Sequence, residues 1–122
     1  MKLKTTLQHT TITNKDFDKE SPYSKEPFSV TFTELSSHEV MIASIPYKDV
    51  DMDDIKNFKD VLALNTELFV KSVVAWENIQ DENGNDLECN DKNKRAIFNV
   101  SSDFCNDLMK KVSEKRKKLK KK

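Results

Sequence analysis

The chain has 122 residues, the length of one domain, with 36% hydrophobic and 34% charged residues and a formal charge of zero. Its one glycine, Gly84, is too few for a phosphate-cradling loop, whose several glycines let backbone amides approach the ligand, so Walker and dinucleotide-binding chemistries are excluded. Two cysteines (Cys89, Cys105) and two histidines (His9, His38) lack the paired spacing of a zinc site and are too few for a secreted disulfide framework.

Residues 1–27 are rich in Thr and Lys, a polar N-terminal segment whose weak alternation allows one edge strand near 3–13. Pro22 and Pro27 bracket a loop, because each biases the residue before it away from helix. In 28–45, Val30 and Phe32 alternate with Ser29, Thr31 and Thr33, as in a half-buried strand. Ser36-Ser37-His38 is then expected to turn the chain into a second strand carrying Val40, Ile42 and Ile45 and ended by Pro46, giving a β-hairpin.

The spacing predicts a long helix over 53–77, with Asp51 or Asp53 as N-cap. Ile55, Phe58, Leu62, Asn65, Phe69, Ser72 and Trp76 fall on one line, widened by Val61, Leu64, Leu68 and Val73 into a broad apolar face. Asn83-Gly84 marks a turn that Ile79 and Leu87 could flank as a short hairpin. A short helix is expected over 91–99 with Ala96, Ile97 and Phe98. Ser101 or Ser102 then caps a last helix from about 103, along which Phe104, Leu108 and Val112 step by four.

The expected fold class is α+β: an N-terminal β-hairpin or small antiparallel sheet, then a long helix and two shorter ones. Residues 28–113 would form the single domain and 114–122 a basic, flexible tail. Residues 110–122 hold nine Lys or Arg and one acid, a charge of +8; the other 109 residues hold 12 bases and 20 acids, a charge of −8. The neutral total therefore conceals a dipolar molecule.

No catalytic, metal-binding or cofactor-binding set emerges. Asp81 to Asp86 lacks calcium-loop spacing, since the glycine comes fourth and Lys92 takes the twelfth place. Asp49, Asp51, Asp53 and Asp54 suit a helix N-terminus. His38 between Ser37 and Glu39 has no geometry for activating the serine. Phe69, Trp76, Phe104 and Leu108 are candidate protein-binding residues, with core as the default, since large apolar side chains mostly pack inside. Lys115, Arg116, Lys117, Lys118 and Lys120 are candidate polyanion-binding residues; the same run also reads as a solvated helix end or as a match for an acidic partner. No aromatic is interleaved with them, so base stacking on nucleic acid is not supported. Met1–Thr6 has no apolar run of signal-peptide length, and no segment approaches the roughly 20 apolar residues of a membrane span. The expectation is a soluble, cytoplasmic, non-enzymatic protein that binds another macromolecule, with a homo-oligomer left open as ring or dimer.

The stretch Val73-Val74-Ala75-Trp76-Glu77-Asn78-Ile79-Gln80-Asp81-Glu82-Asn83-Gly84-Asn85-Asp86-Leu87-Glu88-Cys89-Asn90, followed by Asn93, Lys94, Arg95, Ile97, Phe98 and a closing helix from Phe104, resembles a pattern in the tail assembly chaperones of tailed bacteriophages. The resemblance covers roughly residues 55–113. Glu88, where such proteins often carry Pro or an aliphatic, and the lysine-rich end depart from it. The resemblance implies a chaperone that coats the apolar tape measure protein, recruits tail tube subunits and leaves the finished particle, without a cofactor. It also implies that Lys120-Lys121-Lys122 could be encoded by a slippery frameshift stretch, a matter for the nucleotide sequence. Two alternatives stand beside it: a small virion structural or connector protein, and a nucleic-acid-associated protein that uses the basic end.

Overall fold

The computed structural model describes residues 1–3, 5–47 and 58–120. Strand β1 (His9–Thr13) pairs antiparallel with β2 (Ser29–Thr33), which pairs antiparallel with β3 (Val73–Glu77), so β2 is central. The helices are α1 (Ser37–Ser44), α2 (Phe58–Ser72), α3 (Asp91–Val100) and α4 (Ser102–Lys120). The class is α+β.

Alternation decides the faces of the sheet. Thr10, Ile12, Val30 and Phe32 are buried, while their neighbours are exposed or half-buried. The outer face is threonine-rich, and Thr11 Oγ1 meets Thr31 Oγ1 across the strands at 2.9 Å. On the inner face Ile12, Val30, Phe32 and Val73 join Phe69 of α2, Phe98 of α3 and Cys105, Leu108 and Val112 of α4 in one core. Phe69 is its hinge: its ring centroid lies 6.1 Å from that of Phe32 and 5.2 Å from that of Phe98.

Two expected elements are corrected. Residues 37–44 are helix and not the second strand of a hairpin. Ser36 Oγ accepts the Glu39 amide N–H at 3.1 Å, and Glu39 Oε1 accepts the Ser36 amide N–H at 3.3 Å. This capping box satisfies two orphan donors and starts α1 despite the β-branched Val40 and Ile42. The expected helix over 53–77 ends at Ser72, and Val73–Glu77 continue directly as β3. Its expected start at 53–57 and its caps Asp51 and Asp53 lie outside the described residues.

The β3 register explains the second error. Val30 pairs with Trp76, Thr31 with Ala75 and Phe32 with Val73, which leaves Val74 as an extra, bulged residue. Val73 and Trp76 therefore both face the core although they are three apart, a helical spacing produced by a strand. Trp76 Nε1 donates to the Leu87 carbonyl at 2.7 Å, tying β3 to the 79–87 hairpin. Gly84 turns that hairpin at φ +81°, and the Leu87 amide N–H bonds the Ile79 carbonyl at 2.8 Å.

Asn90 caps α3 by accepting the Asn93 amide N–H at 2.9 Å, which places this helix where the sequence put it. Helix α4 runs on to Lys120, so 114–120 continue the helix and do not form a separate tail. Lys115 Nζ donates to the Thr11 carbonyl at 2.8 Å and meets Asp16 Oδ1 at 3.1 Å. The packed unit also begins before residue 28, because β1 and Phe17 belong to the same sheet and core.

Replacing Phe69 with Ala removes the ring shared by sheet, α2 and α3 and should cost about 3–5 kcal/mol in urea unfolding, whereas Leu62→Ala on the exposed side of α2 should cost much less. A Phe69→Ala loss below about 1 kcal/mol would place that ring outside the core.

Candidate protein-binding surface

The four apolar candidates separate cleanly. Phe69 and Leu108 are each 1% exposed and belong to the core, so neither is available to a partner. Trp76 and Phe104 are half-buried and pack against that core. Phe104 lies in an aromatic cluster, 4.8 Å from Tyr23 and 5.4 Å from Phe28 between ring centroids. On α2 itself Phe69 and Val70 are buried, Val61, Leu64 and Leu68 are half-buried, and Leu62 is exposed.

The open apolar surface lies on α1, which sequence reasoning missed. Met41 is 65% and Ile45 58% exposed, with Val40 and Ile42 beside them and Leu62 of α2 also exposed. Of the residues in α1, Ala43 is the one buried. The signal was present in Val40-Met41-Ile42-Ala43: four consecutive apolar residues spread over about a full turn of helix, so one side must face outward. Taken as a strand, the same residues would have hidden every second side chain.

A second feature is an open cleft of about 580 Å³ between residues 22–28, the 78–80 segment and the α3–α4 junction. Tyr23, Phe28, Ile97 and Phe104 supply its apolar lining, and Asn78, at φ +59°, is at its edge. Burial raises the Tyr23 phenol above its ordinary range, helped by the charges of Asp107 and Asp103.

The polar candidates are occupied with structure. Asp81 Oδ1 accepts the amide N–H groups of Asn83 and Asn85, and these bonds hold its carboxyl below the usual range. Arg95 pairs with Glu67, and the hydrogen bond between them lowers the Glu67 carboxyl. Among the basic candidates, Lys115 and Arg116 are held against β1; Arg116 Nε donates to Thr10 Oγ1 at 3.4 Å, and burial lowers its guanidinium from the ordinary value. Lys117 and Lys118 are exposed, and Lys120 closes α4. Among the described residues no cluster of His, Cys, Asp and Glu could hold a metal ion, and no helix is long and apolar enough to cross a membrane.

Neither cysteine is activated. Burial raises the half-buried Cys89 thiol, against the opposing charge of Lys94, and pushes the buried Cys105 thiol from 9.0 to about 12. Folded Cys105 should therefore resist iodoacetamide at pH 8 and react once denaturant is added; equal labelling in both states would contradict a buried sulfur. The linkage also has a sign. The unfolded thiol loses its proton near pH 9.0 and the folded one near 12, so this contribution to stability is complete below pH 9.0 and is lost as pH rises toward 12.

The chain matches no protein-family model, no curated protein and no solved structure.

Proposed function

We propose that the protein acts by holding another protein, with the outward face of α1 as its contact surface. The single observation that carries this reading is the exposure of Met41 and Ile42 on a properly capped helix and of Ile45 at its C-cap. A contiguous aliphatic surface in water is a site for a partner's apolar side chains. Methionine, unbranched and polarisable, adapts to partners of varied shape. The partner of matching chemistry is an amphipathic helix, whose apolar stripe would lie along α1 and Leu62 of α2. With the resemblance of residues 55–113 to tail assembly chaperones, this partner becomes a tape measure protein, and the protein an assembly factor that keeps it soluble and helps recruit tail tube subunits. Charged residues, 34% of the chain, support solubility of such a complex.

Met41→Lys combined with Ile45→Lys should weaken binding to an amphipathic helical partner at least tenfold, about 1.4 kcal/mol, while changing folding stability by less than about 0.5 kcal/mol, since both side chains are exposed. Co-expression with the tape measure protein, scored by its soluble fraction, and isothermal titration with its helical segments provide the readout. Unchanged partner solubility and affinity in the double variant would remove α1 as the contact. Mass spectrometry of purified particles separates an assembly factor, which is absent from them, from a virion component, which remains.

A further inference from the structure

The charge separation read from the sequence acquires a geometry in the fold. Between Val73 and Asp91 the chain has six acids, Glu77, Asp81, Glu82, Asp86, Glu88 and Asp91, and no Lys or Arg. This stretch forms one wall of the 580 Å³ cleft through Asn78, Ile79 and Gln80. Glu26 lines the cleft from the 22–28 loop, and Asp103 does so from the first turn of α4. Lys25 is the one basic residue in the lining, and its ammonium already donates to the Lys19 carbonyl at 2.9 Å. The lining therefore combines the aromatic rings of Tyr23, Phe28 and Phe104 with two acids, Glu26 and Asp103, against one base, and the acid-only 73–91 stretch adjoins it.

The complementary charge sits at the other end of the same helix. Within α4, residues 115–120 contain five bases and no acid, and Lys117 and Lys118 are exposed. Helix α4 has 19 residues, a length of about 28 Å at 1.5 Å per residue. A continuous helix holds its ends apart, so the basic turns of one molecule cannot reach that molecule's own cleft. Another copy's cleft has no such restriction.

We propose that the acidic cleft at the N-terminal end of α4 receives the basic C-terminal turns of α4 from a second copy, producing head-to-tail self-association. Lysine stems would cover the floor formed by Tyr23, Phe28 and Phe104 while their ammonium groups meet Glu26 and Asp103. The contact is heterologous, so it closes into a ring or continues as an open filament. It uses a different surface from α1 and stands or falls independently of the partner-binding reading.

Analytical ultracentrifugation of the full chain tests the proposal at about 0.02 M and about 0.5 M salt, where screening differs strongly. At low salt the weight-average mass should climb above the 14.2 kDa monomer with concentration, and at high salt it should return to it. Lys117→Glu with Lys118→Glu, and separately Glu26→Lys with Asp103→Lys, should each remain monomeric at low salt with an unchanged circular dichroism spectrum. Mixing the two variants should restore association as a one-to-one pair, because the unchanged basic end of the second variant meets the unchanged cleft of the first. Should the second variant fail to fold, Glu26→Lys alone, on an exposed loop residue, should raise the low-salt dissociation constant about tenfold. Met41→Lys with Ile45→Lys should leave self-association intact. A monomeric wild-type chain at low salt, failure of the mixture to associate, or association that survives high salt and both charge reversals would each overturn the proposal.

Discussion

The architecture depends on one buried ammonium. Lys94 is 9% exposed, and its Nζ donates to the Val70 carbonyl at 3.3 Å and the Val73 carbonyl at 2.7 Å. These groups flank the point where α2 becomes β3 without an intervening loop, a junction that leaves the last helical carbonyls without their usual partners. A cation there also meets the negative end of the α2 dipole, and Asp91 adds a more distant counter-charge at 3.8 Å. A charge this far from water requires such compensation, so α3 has little freedom in where it lies. Its position then fixes Phe98 against Phe69, the α3–α4 junction behind it, and with that junction one side of the cleft.

The sheet imposes the complementary constraint. Three strands with helices on one side need only one apolar face, and the outer face can be threonine, which keeps β-propensity without requiring burial. The edge strand β1 is closed by α4, where Lys115 occupies the Thr11 carbonyl. Part of the lysine-rich segment thus has a structural role. Lys111 lies 5.6 Å from the Phe17 ring centroid and Lys115 meets Asp16, so these bases seal the corner between β1 and α4. The more distal Lys117 and Lys118 have no such assignment among the described contacts.

Much of this was legible in local chemistry. Strands β1 and β2 follow from alternation, α3 from Ala96, Ile97 and Phe98, and the turn within 79–87 from Asn83-Gly84. What was misread had two physical causes. At 36–45, β-branched side chains suggested a strand, but Ser36 and Glu39 form a capping box whose signature also stands in the sequence; the hydrogen bonds outweighed propensity. At 73–77, the Val74 bulge shifted the inward-facing positions to a spacing of three, which imitates a helix and cannot be distinguished from one without knowing that β2 is the neighbour. The candidate site suffered from both. Reading α2 through to Trp76 put that residue on the helix's apolar face, and reading α1 as a strand concealed the surface that is exposed.

An exposed apolar helix on a molecule with separated charges poses a solubility problem that the net charge hides. At zero formal charge, long-range repulsion does little to keep copies apart. Apolar contacts between α1 faces would be isologous and strengthened by salt, whereas contacts between the ends of α4 are heterologous and weakened by it. The two tendencies compete for different geometries. Head-to-tail contact through α4 leaves α1 open on every copy, so a chain of such molecules would present a repeating series of aliphatic surfaces. A long amphipathic helix would offer apolar contacts along its whole length, and many weak contacts would add through effective concentration without any one surface being large. On the proposed reading the charge dipole and the α1 surface would be compatible parts of a multivalent holder, the first setting spacing and the second chemistry.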